Sequence, residues 1–266
     1  MVETKELFIL KIGGSVITNK QEKFSARNDV IDKICFETSK IKKSLILIYG
    51  AGSFGHPLAK KFEIHKGFRS KSQLKGILDI RVKMQDLGNI ISNALQRYNV
   101  AVMPIISSSC MIAENKRLIH VDTEVFQLFL RLGMVPMCSG DVVADKKLGF
   151  CIVSGDQIAV YLAKKLNVSK VIFGCDVDGV FSSNPKQNED AKLLTKIKLA
   201  DLDNVLRNSI SETDAPDVTG GMLGKLKEGI ELVNLGIEVN IMNLNKPENL
   251  SKLINEEEVR CTRLIP

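Results

Sequence analysis

Short apolar runs alternate with amphipathic segments along this chain, and no other feature of the sequence constrains its fold as much. The runs at residues 7 to 12, 45 to 49, 100 to 106, 134 to 138, 170 to 175 and 237 to 242 are rich in Ile, Val, Leu and Met and bounded by Gly, Pro or Asn. Such runs are the pattern of strands buried on both faces. Between them, residues 28 to 42, 56 to 64, 73 to 97, 156 to 166 and 221 to 235 carry apolar positions at three- and four-residue spacing, which gives a helix one apolar face. Parallel neighbours require crossover connections, so the expected fold is α/β, an open, mostly parallel β-sheet sandwiched between helical layers. Residues 141 to 153, with Leu148 and Gly149 between two apolar runs, read as a β-hairpin on that same sheet. The 266 residues show no repeat and no clear linker. Residues 182 to 192 and 211 to 219 read as polar loops placed to cover a site.

Composition narrows the partners. A balance of 37 basic against 31 acidic residues leaves a charge of +6, spread along the chain instead of gathered into arms. With no Trp and three Tyr, stacking on bases has little to work with, so no nucleic-acid partner is expected; a mild positive field suits an anionic small molecule. Cys35, Cys110, Cys138, Cys151, Cys175 and Cys261 are widely separated and form no CxxC pair, which reads as reduced thiols of a cytoplasmic protein. LFILKI near the start is too short for a signal sequence, and no apolar stretch reaches membrane-spanning length. Three separated histidines, His56, His65 and His120, predict no protein-bound metal site.

Four glycine turns fall at predicted strand ends or helix starts: KIGGS at residues 11 to 15, GAGSFGH at 50 to 56, SGD at 154 to 156 and TGGMLGK at 219 to 225. In open α/β sheets ligands bind beyond the carboxyl ends of strands. Glycine permits close backbone approach to a phosphate, and free N–H groups at a helix start favour an anion. Any one turn is equally a tight connection; four in one chain, two with a lysine, point to phosphate. GAGSFG also satisfies the dinucleotide pattern G-x-G-x-x-G, but about twenty residues later, where a ribose-binding acid belongs, the chain reads RSKSQLKG. The Walker motif and the HRD and DFG signatures of protein kinases are absent. Lys11 and Lys225, each in a glycine turn, are suited to neutralise a transferring phosphoryl group. Asp156, at a helix start, is on sequence alone equally an N-cap.

KIGGS, the second glycine turn, SGDQIA, CDVDGVFSSNP and GGMLGK together resemble the amino acid kinase family across nearly the whole chain. The histidine closing GAGSFGH resembles the branch whose acceptor is a prenyl monophosphate. That resemblance implies ATP with Mg2+, a phosphoryl-acceptor part mainly in residues 1 to 165, an ATP-binding part mainly in residues 166 to 266, and a homodimer. It assigns Lys11, Lys20, His56, Asp156 and Lys225 to catalysis, with Asp156 holding the two lysines; Lys20 is otherwise an ordinary loop lysine. It implies ATP contacts at Lys11, Gly13, Gly14, Ser15, Gly52, Asp176, Asp178, Gly179, Phe181, Gly221 and Lys225, with Pro185 near the base and ribose. Ala51, Gly52, His56 and Gly155 are implied on the acceptor side.

A phosphate monoester is largely dianionic at neutral pH and needs no general base, so His56 is read as a donor that positions the acceptor phosphate. Ile80 and Met84 on one predicted helix face, with Val142 and Ile152 of the hairpin, are candidates to line a slot for the organic tail; most such faces are simply core. A nucleoside monophosphate or phosphonate kinase, or a non-catalytic nucleotide-binding module, remains an alternative on the same scaffold.

Overall fold

The computed structural model describes residues 6–183, 185, 188–201 and 221–266. In chain order the elements are β1 (Leu7–Ile12), α1 (Gly14–Ile17), α2 (Asn28–Ser39), β2 (Ser44–Tyr49), α3 (Gly52–Lys61), α4 (Ser72–Arg97), β3 (Val102–Pro104), α5 (Ser107–Cys110), β4 (Met111–Glu114), β5 (Arg117–Val121) and α6 (Thr123–Arg131). They continue with β6 (Val135–Ser139), β7 (Asp141–Asp145), β8 (Gly149–Val153), α7 (Gly155–Lys165), β9 (Val168–Cys175), β10 (Lys196–Lys198), α8 (Gly221–Val233), β11 (Glu238–Asn243), α9 (Asn249–Ile254) and β12 (Cys261–Ile265).

Eight strands form the main sheet in the order β10-β12-β11-β9-β1-β2-β6-β3. The stretch from β11 to β3 is parallel throughout, and β12 joins β11 antiparallel with β10 beside it. Strand periodicity divides β1 between two cores: Phe8, Leu10 and Ile12 face one side with residues of α2, α4 and α9, while Ile9 faces the other with residues of α7 and α8. Burial of both faces is why the central strands read as unbroken apolar runs. The six cysteines are free thiols, five of them buried. No helix among the described residues is long and apolar enough to cross a membrane.

Two expectations change. The hairpin of residues 141 to 153 forms, but not on the main sheet: β7 and β8 belong to a second, four-stranded sheet ordered β5-β4-β7-β8. Its anchor is Asp145, whose carboxylate accepts from the backbone N–H groups of Asn115, Lys116, Lys147 and Leu148 at 2.8–3.2 Å and so ties the β4–β5 turn to the β7–β8 turn. Helix α3 begins at Gly52, four residues ahead of its expected start, and His56 lies within it, not at its first residue. Pro57 in that helix donates no bond to Ser53; the Ser53 carbonyl accepts instead from Phe24 N at 3.3 Å, in the loop that follows β1 and α1.

Candidate active site

The carboxyl ends of β1, β2 and β8 bring three of the four glycine turns together. KIGGS and GAGSFGH touch backbone to backbone: a Cβ added at Gly14 would lie 2.2 Å from Gly52 N, and one at Gly52, whose φ is +48°, would lie 2.1 Å from Thr18 Oγ1. Thr18 Oγ1 in turn donates to Gly14 O at 2.7 Å and accepts from Ser53 N at 3.0 Å. These glycines therefore serve first to seat one loop against the other, a use the motif alone does not reveal. SGD opens α7, but its capping residue is Ser154, whose hydroxyl accepts from Gln157 N at 3.1 Å. That frees Asp156 from capping and resolves the ambiguity left by the sequence. In the fourth turn the described part begins at Gly221; Thr219, Gly220 and the loop of residues 211 to 219 lie outside the described residues, as do Asn184, Lys186 and Gln187 of the loop of residues 182 to 192.

Two lysines from opposite ends of the chain converge on Asp156. Lys11 Nζ is 2.7 Å from Oδ1, and Lys225 Nζ is 3.3 Å from Oδ2. Lys11 and Asp156 are 5% and 4% exposed, so their charges are largely removed from water. Burial alone would raise the Asp156 carboxyl, yet the two ammonium groups hold it below its ordinary value and keep it ionised. Burial lowers Lys11 below the ordinary lysine value; Asp156 opposes that shift and the like charge of Lys225 adds to it. One carboxylate between two ammoniums leaves a net positive charge, the condition for receiving a phosphoryl group.

These groups line a cavity of about 650 Å³. Gly13, Gly14, Ser15, Ala51, Gly52, His56, Gly155, Asp176 and Gly221 line it as well, and so do Ile80, Met84, Val142 and Ile152. The candidate residues of both the acceptor and the phosphate readings are thus brought into one space. Lys20 reaches the same cavity, its Nζ 3.2 Å from Asp176 Oδ2, while Ser15 Oγ donates to Asp176 Oδ1 at 3.1 Å. Burial works against the charge of Asp176, and Lys20 with the Ser15 hydroxyl holds its carboxyl below the ordinary value.

Three candidates of the ATP reading, Asp178, Gly179 and Phe181, lie outside this cavity. Asp178 turns to Asn243 at 3.0 Å, Lys246 at 2.8 Å and Arg260 at 3.0 Å. Gly179 packs on Thr262, whose hydroxyl accepts from Val180 N at 2.8 Å, and Phe181 bridges to Leu193. Pro185 is exposed and also outside. Sequence reasoning missed Gly140, Asp141 and Cys175 as site residues, all lining the cavity. Asp141 is buried and ion-paired with Arg81 of α4; no spacing in the chain relates the two.

A metal centre built from side chains does not arise among the described residues, which contain no cluster of three His, Cys, Asp or Glu able to hold an ion. The three aspartates lining the cavity, Asp141, Asp156 and Asp176, are each matched to a cationic side chain. That donor set fits a divalent ion carried by the oxygens of a bound polyphosphate and by water.

A mostly parallel sheet whose strand ends enclose one buried and one half-buried ammonium group, glycine turns and an apolar wall defines an α/β protein of the phosphoryl-transfer class. The sequence model of the amino acid kinase family matches residues 6–243, and the chain belongs to that family. It is 36% identical to the isopentenyl phosphate kinase of Methanothermobacter thermautotrophicus, over 97% of this chain and 98% of that protein. It is 33% identical to the isopentenyl phosphate kinase of Methanocaldococcus jannaschii, over 95% of this chain and 96% of that one. Among solved structures, an isopentenyl phosphate kinase superposes with a TM-score of 0.84 at 32% identity, covering 97% of this chain and all of the other.

Proposed function

We propose that this protein transfers the γ-phosphoryl group of ATP to the phosphate of isopentenyl phosphate, giving isopentenyl diphosphate. One observation carries the reading: His56 and the Lys11–Asp156–Lys225 triad line a single cavity, part of whose wall, at Ile80, Met84, Val142 and Ile152, is apolar. An amino-acid acceptor would need partners for an ammonium and a carboxylate on that wall; a short prenyl chain needs burial alone. The names of the relatives that match nearly the full chain support the same substrate.

In this reading the acceptor phosphate, dianionic at neutral pH, is itself the nucleophile. His56 and the N–H groups of the turn at Ala51 and Gly52 orient it, with Gly155 beside it. Lys11 and Lys225 neutralise charge as the phosphoryl moves, and Asp156 fixes both lysines in place. Lys20, held by Asp176, completes the positive surround, while Gly13, Gly14, Ser15 and Gly221 offer backbone to the donor phosphates. Magnesium, brought by ATP, supplies further charge neutralisation. Residues 1 to 165 serve mainly the acceptor and residues 166 to 266 mainly ATP, with Asp178, Gly179 and Phe181 shaping the nucleotide end from outside the cavity. The reading extends to a cytoplasmic homodimer.

Incubation of the purified protein with ATP, magnesium and isopentenyl phosphate, followed by phosphorus NMR, tests it. Appearance of the two coupled resonances of isopentenyl diphosphate is expected. Turnover of a nucleoside monophosphate or a phosphonate, with isopentenyl phosphate left intact, would transfer the site to another acceptor.

A further inference from the structure

The apolar part of the cavity has two walls from separate elements. Ile80 and Met84 project from α4, and Val142 and Ile152 from the β7–β8 hairpin of the second sheet. At the seam between these walls lies the ion pair of Arg81 with Asp141. Each partner is the immediate chain neighbour of a wall residue, Arg81 of Ile80 and Asp141 of Val142. The pair is asymmetric in burial: the Asp141 side chain is 1% exposed and that of Arg81 24%. Asp141 Oδ1 is occupied by its own neighbour, accepting from Val142 N at 2.8 Å, so the carboxylate fixes the start of β7 with one oxygen and reaches α4 with the other. Burial pushes the Asp141 carboxyl up while Arg81 pulls it down. A buried carboxylate beside an apolar space is tolerated only with its counter-ion in place.

We propose that the Arg81–Asp141 pair is a tether that sets the separation of α4 from the hairpin, and through it the length of prenyl chain the cavity accepts. Both are positioning residues: they act through Ile80, Met84, Val142 and Ile152. Cutting the tether lets α4 move away from the hairpin, loosening the grip on a five-carbon chain and making room for a longer one. The inference rests on the acceptor reading above, and it goes further in naming the device that limits chain length.

The test is a double-mutant cycle. Arg81→Met, Asp141→Asn, the double variant and Arg81→Lys are assayed with isopentenyl phosphate and with geranyl phosphate, the ratio of the two kcat/KM values being the readout. Because apolar pockets discriminate by about tenfold or more per methylene, each single variant is expected to shift the ratio toward geranyl phosphate by roughly tenfold, with KM for ATP unchanged. The double variant should shift no further than either single one, since both remove the same link, and Arg81→Lys, which keeps the charge, should stay near the wild-type ratio. A ratio unchanged in both single variants, or shifts that multiply in the double, overturns the tether. If Arg81→Met does not fold, Asp141→Asn and Arg81→Lys decide. Lack of product from the wild-type protein with isopentenyl phosphate would instead defeat the acceptor reading itself.

Discussion

Lys11 and Lys225, separated by nearly the whole chain, share the two oxygens of one buried carboxylate, at 2.7 Å and 3.3 Å. Charge held this way is preorganised, needing no rearrangement when the phosphoryl group moves. Replacing either lysine by Ala is expected to lower kcat by about 10²–10³ while KM for ATP changes much less. Steady-state kinetics of each variant check this, and full kcat in either would remove that lysine from the mechanism.

His56 lines the cavity from α3. A hydrogen bond to a charged partner is typically worth about 1.5–3 kcal/mol, so His56→Ala should reduce kcat/KM for isopentenyl phosphate roughly ten- to a hundredfold or somewhat more, leaving KM for ATP near its original value. His56→Gln, which retains a donor, should recover part of the loss. A defect in ATP binding instead would move His56 to the other subsite.

Lys20 pairs with Asp176 at the surface, its side chain 64% exposed. Exposed pairs contribute little to stability. Lys20→Ala should therefore melt with the wild type and yet turn over at least about tenfold more slowly; thermal denaturation and initial rates measured on one preparation separate the two effects. A lowered melting temperature with unchanged kcat would make it a structural lysine.

The contact of Gly14 with Gly52 leaves no room for a methyl group. Gly52→Ala meets both a positive φ and Thr18 Oγ1, so a loss of about 1–3 kcal/mol is expected, seen as a fall of the thermal midpoint by several degrees. Retained stability would mean that the two turns separate more easily than their packing implies.

Asp145 carries a pH signature. Burial opposes its charge, but the backbone N–H groups of Lys116, Leu148 and Lys147 bring its carboxyl down to about 2. A folded value below the unfolded one gives stability that is present above the unfolded value and lost as pH falls toward the folded one. The wild type should thus exceed Asp145→Asn by about 2 kcal/mol at neutral pH, with the gap closing between about pH 5 and pH 2. Urea denaturation of both proteins across that range measures it, and a gap independent of pH would contradict the assignment.

Local periodicity was enough to identify the parallel strands and the five helices α2, α3, α4, α7 and α8, while α1, α5, α6 and α9 passed unread. β1 was expected at residues 7 to 12 and spans Leu7–Ile12, because burial on both faces writes itself as a continuous apolar run. The segments at β4, β5 and β10, short or open to solvent on one side, and β12, whose run is broken by Thr262 and Arg263, passed unread. Lys11, Lys225 and Asp156 were legible because each stands beside glycines at an element's end. Their meeting was not, since convergence of residues 11, 156 and 225 is a property of strand order. The same holds for Asp141 and Arg81, sixty residues apart along the chain. Asp178, read as a nucleotide contact from CDVDG, is drawn away by Asn243, Lys246 and Arg260, groups that only the return of β11 and β12 to the sheet brings near. Sequence by itself determined which stretches could be strands, helices and phosphate-sized turns, because those depend on neighbours within a few residues. Tertiary structure alone decided which charges share a space, because Coulombic pairing depends on distance and burial, and neither is local to the chain.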